Sequence, residues 1–188
     1  MTPADWITII RTVLVFVVAV LVYYAWGPWW LSVILLIIAF AMDSLDGYVA
    51  RRYKCETVIG SLLDVVGDRM TEIVLWLMFL AIDYVPAWAP IIVLSRAALT
   101  DAIRGRAAGK NVSVYGMMRS WWGRTFVKSR FVRGLYGVSK VLFFLVLTLM
   151  RYGVVPFSWQ FSFWYSLYLV LFSLLRGLPV LIDARGVL

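Results

Sequence analysis

The sequence predicts an all-α integral membrane protein of six transmembrane helices, folded as one domain over residues 1–188. Three observations carry this. Hydrophobic residues make up 63% of the chain and charged residues 15%, where soluble domains carry about a quarter charged residues. Several apolar runs approach the ~20 residues that cross a bilayer as a helix. Basic residues also gather in alternate connections between those runs, as orientation in a membrane requires.

The spans fall at 7–26, 29–50, 58–82, 86–106, 134–154 and 160–183. The first run has no basic stretch before it and no small-residue cleavage site, so it reads as a span rather than a signal peptide. Turn signals separate the spans: Gly27-Pro28, Pro86, and Gly153 through Pro156. The second span closes on Arg51, Arg52 and Lys54. The connection after the fourth carries Arg106, Lys110, Arg119, Arg124, Lys128, Arg130 and Arg133. The connection at Gly27 has no charge, and that at Asp83 has no basic residue. This alternation predicts a multi-pass protein of the cell membrane with both termini and both basic loops in the cytoplasm. Trp26, Trp29, Trp30, Trp88 and Trp159 near span ends read as an aromatic belt. In the long connection 108–133, Trp121, Trp122, Phe126 and Phe131 interleave with basic residues. It reads as an amphipathic segment on the headgroups or as a basic wall over an anionic substrate.

Composition also excludes chemistry. There is no histidine, so Ser-His-Asp triads and histidine phosphoryl relays are ruled out. Cys55 is the single cysteine, which leaves no internal disulfide and argues against a zinc or redox site. The formal charge of +8 suits a protein facing an anionic leaflet. Because the basic residues lie between spans, no nucleic-acid partner is expected.

Residues 43–68 bring four carboxylates into apolar helical sequence. Acids near hydrocarbon are costly and mark functional sites by default. Asp43 and Asp46 are three apart, and Asp64 and Asp68 four apart, so each pair shares a helix face. Two such clamps across a helical hairpin would hold a hard cation with oxygen ligands. Topology puts them towards the cytoplasmic ends of the second and third spans, in a site opening inward. Gly47, Ala50 and Gly60 lie on or near the same faces, where small residues let a bulky ligand or a neighbouring helix approach.

The pattern D-x2-D-G-x2-A-R-x8-G-x3-D-x3-D is met at every fixed position from Asp43 to Asp68. It resembles the signature of the CDP-alcohol phosphatidyltransferases. That resemblance implies transfer of a phosphatidyl-type group from a CDP-linked lipid to an alcohol, with release of CMP, in phospholipid biosynthesis. It implies Mg2+ or Mn2+, two ions per site, held by Asp43, Asp46 and Asp64 on the diphosphate. Asp68 would complete the metal set and act as base on the acceptor hydroxyl. Gly47, Ala50 and Gly60 would make room for the CDP-lipid, with Arg51 near its diphosphate. The family resemblance also implies a homodimer among membrane lipid.

For an acceptor carrying its own phosphate, such as glycerol 3-phosphate, the candidate cations are Arg96, Arg104 and Lys140, with Arg176 within reach of the cytoplasmic edge. The runs Ser95-Arg96 to Arg104 and Pro3 to Arg11 look like those of the phosphatidylglycerophosphate synthase branch. Ala97 stands where that branch usually has an acid, and Ala4-Asp5 where an asparagine usually follows the early proline. Arg69 and Glu72 look more like relatives that use an inositol phosphate. Two other classes also use acids of this kind. An intramembrane prenyltransferase needs more spans than this chain supplies. A magnesium transporter needs polar residues through the whole bilayer, and these acids cluster to one side.

Overall fold

The computed structural model describes residues 3–53, 58–109 and 129–183, with side chains outside that description at 3–5, 43–53, 58, 59, 61, 62, 64, 104, 107–109, 130, 181 and 183. The described residues form six helices: α1 Pro3–Tyr24, α2 Trp29–Tyr53, α3 Val58–Ala81, α4 Trp88–Gly109, α5 Arg130–Arg151 and α6 Trp159–Asp183. They match the six expected runs to within a few residues at each end. Most of the long basic connection, including Trp121, Trp122 and Phe126, lies outside the described residues, as does Cys55.

Among the described residues, three stretches are apolar and long enough to cross a membrane: Trp6–Tyr24, Phe131–Arg151 and Trp159–Val180. Trp29–Met42 is a shorter apolar helix stretch. The other helices are interrupted by the charges that make them interesting. α2 carries Asp43, Asp46, Arg51 and Arg52; α3 carries Asp64, Asp68, Arg69 and Glu72; α4 carries Arg96, Asp101, Arg104 and Arg106. Large apolar side chains such as Trp6, Ile10, Val13, Val17 and Val20 are exposed on α1. A soluble protein would bury such a surface, while a bilayer solvates it.

The chain divides into two compact units, Met1–Tyr84 with Phe144–Ser158, and Val85–Phe143 with Trp159–Leu188. In the first unit α1 packs on both α2 and α3. Its buried face is the stripe Thr8, Arg11, Val15, Val18 and Val22, whose alternating three and four spacing keeps one side of a helix in contact. Opposite lie Leu36 and Ala39 of α2, and Leu75, Trp76 and Phe79 of α3, all buried. Phe144 closes this core, edge-on to Trp76 at 5.5 Å and stacked on Phe79 at 5.9 Å.

One end of this unit is fastened by polar contacts. At the end of α1, Trp26 N–H donates to the Leu21 carbonyl and Ala25 N–H to the Val22 carbonyl, with Ala25 at φ 50°. This is a Schellman ending, which returns two orphan carbonyls to the backbone. The ends of α3 (Asp83, φ 58°) and α5 (Gly153, φ 71°) repeat it. Arg151 then donates Nε to the Val22 carbonyl at 3.2 Å and Nη2 to the Tyr23 carbonyl at 2.6 Å. A cation at a helix C-terminus also meets the negative end of the dipole. The Tyr152 hydroxyl lies 3.1 Å from the Leu21 and Trp26 carbonyl oxygens and 2.8 Å from the Ser32 hydroxyl. Arg151→Ala is therefore expected to destabilise the fold by about 1–3 kcal/mol, the usual range for hydrogen bonds from a charged donor. In thermal unfolding of the detergent-solubilised protein this should appear as a drop in Tm of roughly 2–10 °C.

In the second unit α4 packs on α6. The contact face of α6 is small: Ser162, Ser166 and Ser173 are fully buried, with Leu169 among them. α4 answers with Ala89, Val93, Ala97 and Thr100, also buried. Small residues on both sides let helix backbones approach closely, the usual way helices associate where lipid removes the hydrophobic drive. α5 contributes Tyr136 and Phe143, which stack on Phe172 at 5.5 Å and Tyr165 at 5.0 Å.

Candidate active site

α2 runs as unbroken helix through Tyr53. Asp43, Asp46, Gly47 and Ala50 therefore take register positions i, i+3, i+4 and i+7, on one face. α3 is likewise continuous from Val58, which puts Gly60, Asp64 and Asp68 at i, i+4 and i+8. The helical premise of the clamp reading thus holds for the backbone. The side chains of Asp43, Asp46, Gly47, Ala50, Arg51 and Asp64 lie outside the described residues. Gly60 is described and half-buried.

Asp68 is the motif acid whose side chain the structure describes. Its Oδ1 lies 3.0 Å from Nη2 of Arg11, with the two side chains 49% and 1% exposed. The pair is unequal: the guanidinium is enclosed and the carboxylate half open. One turn further on, buried Glu72 accepts from Arg69 Nη1 at 2.9 Å. In the sequence Arg69 and Glu72 stand only as markers of a branch, and Arg11 only as part of a run. The available signal was the α1 stripe, in which a cation occupies a position that its neighbours fill with valine and threonine.

Gly67 makes the Arg11–Asp68 contact sterically possible. A Cβ there would sit 2.7 Å from Thr8 Cγ2 and 2.8 Å from Arg11 Nη2, closer than side chains tolerate. α1 therefore crosses α3 at a position where α3 has no side chain.

Of the expected acceptor cations, Arg96 and Lys140 belong to the second unit. Arg96 donates Nε to Ser173 Oγ at 2.9 Å. Its methylenes lie against the α6 backbone at Gly177, where a Cβ would collide with them. Lys140 Nζ is 5.9 Å from the Tyr136 ring centre, and Arg176 Cζ is 5.2 Å from the same ring. Tyr136 is thus an aromatic platform shared by two cations. Ser139 lies 3.2 Å from the Tyr168 hydroxyl, and its carbonyl accepts from Tyr165 at 3.1 Å. The Arg104 side chain lies outside the described residues.

The family model for CDP-alcohol phosphatidyltransferases matches residues 1–175. The chain belongs to the CDP-alcohol phosphatidyltransferase family. Curated members similar to it include the CDP-diacylglycerol–glycerol-3-phosphate 3-phosphatidyltransferases of Bacillus subtilis, 30% identical over 92 residues, and Yersinia enterocolitica, 32% identical over 126 residues. These matches cover 47% and 63% of this chain, and 48% and 66% of the two relatives. The Cereibacter sphaeroides enzyme of the same name is 34% identical over 70 residues, 36% of this chain and 32% of that one. The chain thus spans between about a third and two thirds of the length of the curated relatives it matches. As a family member with three long apolar helices, it is a membrane protein.

The donor chemistry of the motif fits a hard divalent cation. Its acids offer only carboxylate oxygens, and the chain has no histidine and one cysteine. Such a set suits Mg2+ or Mn2+ and is poor for softer metals.

Proposed function

We propose that this protein transfers a phosphatidyl-type group from a CDP-linked lipid to an alcohol, releasing CMP, as a step in membrane phospholipid synthesis. The observation that carries the reading is the complete D-x2-D-G-x2-A-R-x8-G-x3-D-x3-D pattern on two unbroken helices of a family member. Asp43, Asp46, Asp64 and Asp68 would hold Mg2+ or Mn2+, two ions per site. Bound there, the cations would neutralise the diphosphate and the charge developing on its bridging oxygen. Gly47, Ala50 and Gly60 leave room for the CDP-lipid, and Arg51 binds near its diphosphate.

The chain's own part of the chemistry is short. The acceptor hydroxyl oxygen attacks the lipid-side phosphorus. A new P–O bond forms, the bridging P–O bond breaks, and CMP leaves with that oxygen and its electron pair. Asp68 takes the hydroxyl proton. It suits this role because a base must reach the acceptor and its carboxylate is half exposed.

Glycerol 3-phosphate is the proposed acceptor, supported by what the relatives' names state of those proteins. An acceptor phosphate is repelled by a site rich in carboxylates, so it needs cations. Arg96, Arg104 and Lys140 are assigned to it, with forked arginine donors suited to phosphate oxygens. The Arg69–Glu72 pair supports an inositol phosphate as the second reading. The protein acts as a homodimer of six-span subunits, with both termini and the active site on the cytoplasmic side.

The test is an acceptor panel. Purified protein, CDP-diacylglycerol and Mg2+ are combined with glycerol 3-phosphate, inositol phosphate, serine or free inositol, and CMP release is followed. No release with any acceptor overturns the transferase reading; preference for serine or free inositol overturns the phosphate pocket. Arg104→Ala should raise the acceptor KM by roughly 10–100-fold, the equivalent of one charge-assisted contact. The CDP-lipid KM should stay within about threefold, and an unchanged acceptor KM would return Arg104 to a topological role.

A further inference from the structure

We infer that Arg11 is a positioning residue for the transfer reaction, holding the Asp68 carboxylate from its closed side so that its open side faces the chemistry; the inference rests on the transfer reading above. Arg11 occupies the buried stripe of α1, between Thr8 and Val15, and is 1% exposed. Packing alone does not ask for a guanidinium there. A buried ion pair is often no more stabilising than apolar residues of similar volume, and the rest of the stripe shows that such residues fit.

The pair is an ion contact between an enclosed guanidinium and a half-open carboxylate. Nη2 meets Oδ1 at 3.0 Å, while the aspartate side chain stays 49% exposed. One edge of the carboxylate is thus anchored inside the helix contact and the remainder is open. The anchor is itself confined. A Cβ on Gly67 would come within 2.8 Å of Arg11 Nη2, 2.7 Å of Thr8 Cγ2 and 3.4 Å of Thr12 Oγ1. The Thr12 hydroxyl is in turn held by the Thr8 carbonyl at 2.8 Å. The guanidinium crosses α3 through the gap left by glycine, immediately before the residue it holds. Displacing a reacting group by about 1 Å can cost on the order of 10²-fold in rate, so a tightly confined anchor has catalytic value that a loose one lacks. Lysine keeps the charge but loses the planar fork.

Arg11→Lys, Arg11→Gln and Gly67→Ala test this, with kcat, both KM values and Tm measured on folded, detergent-solubilised protein. Arg11→Lys is expected to lower kcat by roughly 10–100-fold with both KM values within about threefold. Arg11→Gln should lose at least as much, and Gly67→Ala should lose about 3–10-fold because its Cβ pushes the guanidinium aside. In an Asp68→Asn background, followed by single turnover with enzyme in excess, Arg11→Lys should cost less than about twofold more, since residues acting as a unit are not additive. A lower Tm with unchanged kcat per folded molecule, or the same loss with and without Asp68, overturns the positioning role. A wild-type protein that releases no CMP with any acceptor overturns the transfer reading and this inference with it. A wild type that turns over while Arg11→Lys keeps full kcat overturns the inference alone.

Discussion

Asp43→Asn, Asp46→Asn and Asp64→Asn are each expected to reduce divalent-dependent CMP release to background while leaving the fold intact. Asparagine keeps the shape of aspartate and removes its charge. A hard-cation site built from carboxylates weakens with each charge removed, and the diphosphate of the CDP-lipid then meets uncompensated repulsion. Folding should survive, because the packing that holds α2 and α3 is made elsewhere on those helices. Leu36 and Ala39 on α2, and Leu75, Trp76 and Phe79 on α3, are fully buried and lie outside the motif. The measurement is CMP release across a Mg2+ titration, alongside circular dichroism and thermal unfolding. Near-wild-type release by any of the three at limiting Mg2+ would remove that residue from the metal set.

How much of this was legible in the sequence differs by kind of feature. The helices were readable because each is an apolar run ended by a turn signal, and α1, α3 and α5 finish in Schellman turns at the expected connections. The motif was readable because its spacing is local: residues three and four apart share a face on any helix. What local spacing does not contain is the partner across a helix contact. Arg11 and Asp68 are 57 positions apart in the chain, and nothing in either neighbourhood names the other. The same holds for Arg151 and the α1 carbonyls, and for Arg96 lying over Gly177. Charges on the second, third and fourth helices lowered their hydropathy, so composition marks three long spans where the pattern of turns marks six helices. The glycine at position 67 was invisible for a related reason, since its value lies in what approaches it.

Asp68→Asn is expected to separate binding from turnover. If Asp68 is the base, its loss should lower kcat by roughly 10²–10⁴-fold while CDP-lipid binding falls far less than in Asp64→Asn. The Arg11 contact makes this comparison clean. An asparagine amide oxygen is a neutral polar group of the same shape beside the guanidinium, so the α1–α3 contact keeps its packing while losing the counter-charge. What asparagine cannot do is take a proton from the acceptor hydroxyl. The loss should therefore fall on the chemical step and leave Tm within a few degrees of wild type. Nucleotide-lipid binding and single-turnover rates on the same preparation decide the matter. Binding lost to the same degree as in Asp64→Asn would make Asp68 a metal ligand alone. Turnover within a few-fold of wild type would mean that the acceptor proton leaves by another route.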